Sequence, residues 1–353
     1  LLTSMSSGAI LSKTRAMFGR RLTTEDYTAL SQKGSVAEAA LYLGNLPAYK
    51  DLLDGRDAVS IHRMELEDIL RHRHFENFSS LCRYELSVGE KMAEYILLTT
   101  EIELISETLS RVMSPIIEKA VSFSASPFLD RRLHLDLSVM GRAQTYEELL
   151  EATKESVFYP VLKRLGWHPT GELVTYENAL LSEFYRLLFE LIDNGLSGDE
   201  RDILKDIFIS KIDLQNLIRV IRLKDYFSSA SPEYIRTSLI PHGNVMKENA
   251  VRLAQCENSG SVLAEASKMK AFRKKLSELD RCRRIDELAD RYLLKRCWHE
   301  IHFSPHPTVV MISYLHISEI EISNIIKIVE GIRYGLTPNE IMELLILPED
   351  KKS

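Results

Sequence analysis

Apolar residues recur at three- and four-residue spacing along nearly the whole chain, while runs that alternate β-branched with polar residues are missing. That period belongs to helices with one buried face. Ile203, Ile207, Leu214, Leu217, Ile218 and Ile221 form one such stripe, and Ile322, Ile325, Ile326, Val329 and Ile332 form another. Each stripe needs a partner helix to cover it. Thr337-Pro338-Asn339-Glu340 supplies a capping hydroxyl, a proline at the first helical position and a Glu able to reach back, so a further helix should start there. The pattern predicts an all-α fold.

The chain also repeats itself. Glu101-Ile102-Glu103-Leu104, Lys211-Ile212-Asp213-Leu214-Gln215-Asn216-Leu217 and Glu319-Ile320-Glu321-Ile322-Ser323-Asn324-Ile325 resemble one another. With Glu103, Asp213 and Glu321 as reference acids, the offsets are 110 and 108 residues. Ser126-Pro127, Ser231-Pro232 and Thr337-Pro338 recur at 105 and 106 residues, and Ile235, Leu239 and Ile240 line up with Ile341, Leu345 and Ile346. Ser35-Val36-Ala37-Glu38 through Tyr49 matches Thr145-Tyr146-Glu147-Glu148 through Tyr159 at an offset of 110, with a weaker echo from Ser259 to Phe272. A period of that size is a domain rather than a solenoid turn. Three related helical domains are expected at 1–121, 122–230 and 231–353, with Ser-rich joints at Ser122 to Ser126 and Ser228 to Ser231.

These segments resemble the C subunit, also called d, of V-type and archaeal-type (A-type) rotary ATPases. The resemblance is carried most by Glu319-Ile320-Glu321-Ile322-Ser323-Asn324-Ile325 running on to Gly331, Gly335 and Pro338, a helix of acidic, aliphatic and Asn positions with a Gly-x-x-Pro stop. Ser12-Lys13-Thr14-Arg15-Ala16-Met17, Ile212 to Leu217 and Leu239-Ile240-Pro241-His242-Gly243 add to it. The first copy departs, because Glu101 to Leu109 lacks the Asn found at 216 and 324. The resemblance implies a funnel of three similar domains in a pseudo-three-fold arrangement. It also implies a non-catalytic rotor protein whose partners are the central shaft subunits and the membrane proteolipid ring, without cofactor. Such a protein would be cytoplasmic and peripheral on the membrane through the ring. An all-helical scaffold unrelated to ion transport and a helical enzyme with an unrecognised site are the alternatives.

Composition narrows the field further. The length of 353 residues allows two to three domains, and 45% hydrophobic with 27% charged residues is the composition of a folded protein. The longest apolar stretches, such as Thr308 to Leu315, are broken short of the roughly 18 residues a membrane span needs. Leu1 to Leu11 lacks the basic flank and long core of a secretory signal, so none is expected. Cys82, Cys256, Cys282 and Cys297 form no C-x-x-C pair, which supports neither a disulfide scaffold nor a zinc ribbon. A net charge of −6 speaks against nucleic acid as the partner.

Candidate chemistry is sparse. Glu103, Asp213 and Glu321 lie in apolar helical patterns but in separate repeats, whereas acid–base catalysis needs groups converging on one pocket. A clasp between helices, with Arg or Asn as partner, is the expected role, and no residue is assigned as catalytic. His299, His302 and His306, with Trp298 and Pro305 among them, have spacings of three and four, and Pro305 interrupts any helix through the last pair. With His62, His72 and His74 they are expected to be ordinary part-exposed histidines, so no metal is assigned. No G-x-x-x-x-G-K-[ST] loop or G-x-S-x-G is present. Lys268 to Arg296 holds 11 basic residues against five acidic ones, a solvated face or a surface for an anionic partner such as lipid headgroups.

Overall fold

The computed structural model describes residues 2–50, 61–82, 89–113, 132–168, 172–227, 230–244 and 248–348. All regular elements among them are helices, which bears out the all-α class. The chain divides into two compact units, one made of residues 1–90 with 282–353 and the other of residues 91–281. The joint at Ser122 to Ser126, the Ser126-Pro127 marker and part of the joint at Ser228 to Ser231 lie outside the described residues.

The first unit opens with α1 (Leu2–Phe18), α2 (Thr24–Ser31), α3 (Val36–Gly44) and α4 (Arg63–Cys82). The second unit follows with α5 (Gly89–Met113), α6 (Leu137–Arg142), α7 (Tyr146–Ala152), α8 (Tyr159–Leu165), α9 (Leu173–Gly195) and α10 (Gly198–Tyr226). It continues through α11 (Pro232–Thr237), α12 (Glu248–Ala254), α13 (Ser259–Lys268) and a 3₁₀ turn at Lys275–Arg281. The chain then returns to the first unit with a 3₁₀ turn at Ile285–Glu287, α14 (Leu288–Phe303), α15 (Pro307–Arg333) and α16 (Pro338–Glu343).

Side-chain caps start the short helices where the repeats place hydroxyl residues. Ser35 caps α3 by accepting from the Glu38 N–H, and Thr145 caps α7 in a reciprocal pair with Glu148. In the third copy the cap is Asn258, one residue before the Ser259 of the sequence alignment. Ser231 and Thr337 cap α11 and α16, each followed by a proline at the first position. Caps of this kind contribute about 1 kcal/mol each, so they fix where the helices begin more than how stable the units are.

Packing centres on α15 in the first unit and α10 in the second. Helix α15 runs against α1, α2, α3, α4, α14 and α16. Ile322, Ile325, Ile328 and Val329 share a core with Leu22, Tyr27, Leu30, Leu43 and Ile341. By length and composition α15 could cross a membrane, but 72% of its most apolar window is buried inside the protein. Burial on most sides explains why a helix of a folded unit is apolar nearly all round. In the second unit α10 packs on α9 and α13, with Leu204, Ile207, Leu214, Leu217 and Val220 buried.

Candidate functional site

Buried carboxylates on the long helices are the chemical feature that the repeats have in common. Asp213 on α10 is fully buried. Its Oδ1 accepts from the Asn244 N–H at 2.6 Å, and its Oδ2 accepts from the Lys275 ammonium at 2.6 Å and the Asn244 side-chain amide at 3.3 Å. Lys275 is itself buried, so the pair has lost its water and holds through geometry and hydrogen bonds. The chain comes so close here that a Cβ on Gly243 would stand 2.6 Å from Asp213 Oδ1. The preceding residue, His242, adopts a left-handed φ of 75°.

Glu321 on α15 is built the same way. Its Oε2 accepts from the Leu22 N–H at 2.9 Å and its Oε1 from the Tyr49 hydroxyl at 2.6 Å. Among the described residues no ammonium pairs with it at these distances, and burial raises its pKa above the usual carboxyl range against the opposing pull of the Tyr49 and Leu22 hydrogen bonds. Burial and the Glu321 charge push the Tyr49 hydroxyl well up in turn. Tyr49, Glu321 and Arg21 also line a small cavity with Arg73, His74 and Tyr314. The third acid is therefore held by the first fifty residues of the chain.

The first copy corrects the sequence reading. Glu103 is exposed on α5, and the buried acid is Glu101, two residues earlier. Glu101 Oε1 accepts from the His134 N–H at 2.9 Å, and Oε2 accepts from the Ser156 hydroxyl at 2.6 Å. The helix phase explains the shift: Leu98, Glu101, Ile105 and Thr108 lie on one buried face, and residue 103 is about 200° round from 101. Each acid thus takes one backbone N–H from the start of an excursion (Leu22, His134, Asn244) and one side chain from further along it. That side chain is a phenol, a hydroxyl or an ammonium, and this variety left no motif.

Two Asn residues reinforce the arrangement three positions after the acid. Asn216 exchanges two hydrogen bonds with the backbone of Ile240, at 2.7 and 2.8 Å. Asn324 does the same with Ile346, at 2.9 and 2.8 Å. The clasp partners expected of the acids were Arg or Asn; the observed ones are Lys275, Asn244, Tyr49 and Ser156, and Asn216 and Asn324 clamp backbone instead.

Elsewhere the candidates resolve into packing. Helix α14 ends at Phe303, before Pro305. Trp298 and His302 stack at 5.8 Å, and Phe18 meets both edge-on. The His302 ring bonds the Trp298 carbonyl, and the His74 ring meets Ser318. Much of the basic run is paired: Lys275 with Asp213, Arg281 with Glu278, Arg283 with Glu343, Arg291 with Glu287 and Arg296 with Glu300.

Each carboxylate is closed by fixed donors within its own helix and excursion, an arrangement suited to holding a fold. A family model described as ATP synthase (C/AC39) subunit matches residues 10–344. The chain belongs to that family. The C/AC39 chain is 25% identical over 215 residues to the C subunit of the A-type ATP synthase of Thermococcus gammatolerans, covering 59% of this chain and 56% of that protein. It is 26% identical over 214 residues to the protein of the same name from Pyrococcus furiosus, covering 59% and 57%. A shorter match to that of Methanosarcina barkeri reaches 34% over 92 residues, 26% of this chain and 24% of that protein. The first two alignments span a little over half the length of those relatives. The expected resemblance to the C or d subunits is borne out.

Proposed function

We propose that the chain is a non-catalytic central-stalk component of a V-type or A-type rotary ATPase, linking the central shaft to the membrane proteolipid ring. The observation that carries this reading is the family match over residues 10–344. In this role the chain passes torque between two interfaces, which couples ATP hydrolysis or synthesis to proton or sodium ion transport. The clasps suit that task, since a part that transmits torque must not yield, and close-packed interiors with satisfied buried polar groups are stiff. Three related domains in a funnel-like arrangement, on the cytoplasmic face and peripheral to the membrane, belong to the same proposal.

The test is removal of the chain from membranes that carry the complex. ATP hydrolysis should continue while ATP-driven ion transport is lost, and transport should return with the added protein. Hydrolysis that stays coupled without the chain would overturn the reading. As a companion measurement, calorimetry with the isolated protein should detect no stoichiometric ATP binding.

A further inference from the structure

The basic run from Lys268 to Arg296 is the sequence motif that the clasps leave unexplained. In its later part Arg281, Arg283, Arg291 and Arg296 each pair with a glutamate. The first part is built differently. Lys268 ends α13, and the chain then turns through Met269 to Lys274 into the 3₁₀ turn at Lys275–Arg281. Met269, Phe272 and Lys275 are buried, whereas Lys270, Arg273 and Lys274 are exposed. Among the described residues these three side chains make no hydrogen bond, ion pair or ring contact.

The turn is held from beneath. The Phe272 N–H donates to the Met269 carbonyl at 3.1 Å, and the Leu276 N–H returns to the Phe272 carbonyl at 2.9 Å. Below them Lys275 is tied to Asp213 at 2.6 Å. The outward cations therefore stand on a fixed backbone. Residues 265–274 hold four cations, Lys268, Lys270, Arg273 and Lys274, against one carboxylate, Glu265. That carboxylate is already shared between Lys268 and Arg252 of α12. Such a concentration of one sign stands out in a chain whose net charge is −6. Like charges held this close repel, and the core does not ask for them, because the turn reaches it through Met269, Phe272 and Lys275.

The chemistry of this face selects its partner. Its large apolar side chains, Met269 and Phe272, are turned inward, so it lacks the buried anchors that carry most protein interfaces. Residues 265–274 also present no exposed aromatic ring on which a base would stack. Cations without apolar anchors suit a surface that attracts by charge and needs no fitted shape. We propose that Lys270, Arg273 and Lys274, with Lys268 beside them, form a contact for the anionic headgroups of a lipid membrane. The stalk reading above supplies the membrane, and this contact is with its lipid rather than with the protein ring.

The experiment floats the full chain with vesicles of phosphatidylcholine alone or with roughly one third phosphatidylglycerol, since anionic lipid is the attracting component. The chain should bind the anionic vesicles and not the neutral ones. Binding should weaken as salt rises from about 0.01 to about 0.15 M, where the Debye length falls from about 30 to about 8 Å. K270A/R273A/K274A should melt with the parent and bind roughly hundredfold more weakly, at roughly fivefold for each charge removed. Should the triple variant melt lower, R273A alone decides, with a roughly fivefold loss expected. Arg20, Arg142 and Arg164 are exposed elsewhere, and R20A/R142A/R164A, with the same change in net charge, should bind as the parent does. Equal binding to neutral vesicles, no binding to anionic ones, unchanged binding in the variants at 270, 273 and 274, or an equal loss in the control variant overturns the contact. Release by inorganic phosphate, but not by chloride at the same ionic strength, assigns the cations to free phosphate and overturns it too. None of these outcomes touches the stalk reading, which the transport measurement on the complex decides.

Discussion

Lys275 makes Asp213 expensive to remove. Truncating the acid leaves a buried ammonium without its counter-charge, so Asp213→Ala should destabilise the protein by about 3–5 kcal/mol. In a double-mutant cycle, Lys275→Ala added to Asp213→Ala should cost far less than it does alone, because the second change removes the stranded charge. Additive losses in denaturant titrations would mean that the two groups do not act as a pair. The first copy gives a sharper contrast two residues apart. Glu101→Ala should cost about 1–3 kcal/mol by stranding the Ser156 hydroxyl and the His134 N–H, whereas exposed Glu103→Ala should stay within about 0.5 kcal/mol. Glu321 adds a pH dependence. Its pKa is raised in the folded state, so the fold holds that proton more tightly than the unfolded chain does. Its favourable contribution is complete below the ordinary carboxyl range and is lost as pH rises through the folded pKa. Melting of Glu321→Gln, which cannot ionise, should therefore improve relative to the parent as pH is raised from about 4 to 8. A constant difference between the two profiles would show that the carboxyl does not titrate abnormally.

At the scale of the element, α15 and α16 show how a helix end is made and what it tolerates. Gly335 takes a φ of 71°, the Leu336 N–H returns to the Gly331 carbonyl and the Gly335 N–H to that of Ile332, a glycine-dependent helix stop. Gly331 has another reason to be glycine, since a Cβ there would stand 2.6 Å from Ile341 Cγ1 on α16. Gly331→Ala should thus destabilise by about 1–3 kcal/mol through overpacking, although alanine is favoured over glycine in a helix interior by about 1 kcal/mol. Ile341→Ala, which removes that Cγ1, should cost less when added to Gly331→Ala than it does alone, as read from denaturation midpoints. The helices themselves were legible in the sequence through the apolar stripes, the Thr337-Pro338 start and the Gly-x-x-Pro stop. Asp213 and Glu321 were legible as repeated acids inside those stripes. Glu101 was hidden by Glu103, because either fits the repeat and the two differ only in helix phase. Tyr49, Ser156 and Lys275 could not be read at all, since three excursions of different length reach the acid with whatever side chain fits.

The whole molecule joins its first and last segments, and this makes a prediction that distant residues respond together. Glu321 and Tyr49 lie 272 residues apart yet share a 2.6 Å hydrogen bond, and Leu22, Leu30 and Leu43 share a core with Ile325, Ile328 and Val329. The compact unit that contains them is separate from the one that contains Asp213 and Glu101. Local opening follows such cooperative units rather than sequence neighbourhood. Glu321→Ala should therefore speed amide exchange, measured by mass spectrometry, in residues 22–49 and 307–346 together, while residues 198–226 keep the parent rate. Asp213→Ala should do the reverse, loosening 198–226 and the Asn244 to Lys275 excursion before the terminal segments. Exchange that rises in 307–346 without 22–49 would mean that the chain start does not depend on the clasp. Joint loosening would instead make Glu321 the point where one carboxylate ties residues 22–49 and 307–346 into one cooperative piece.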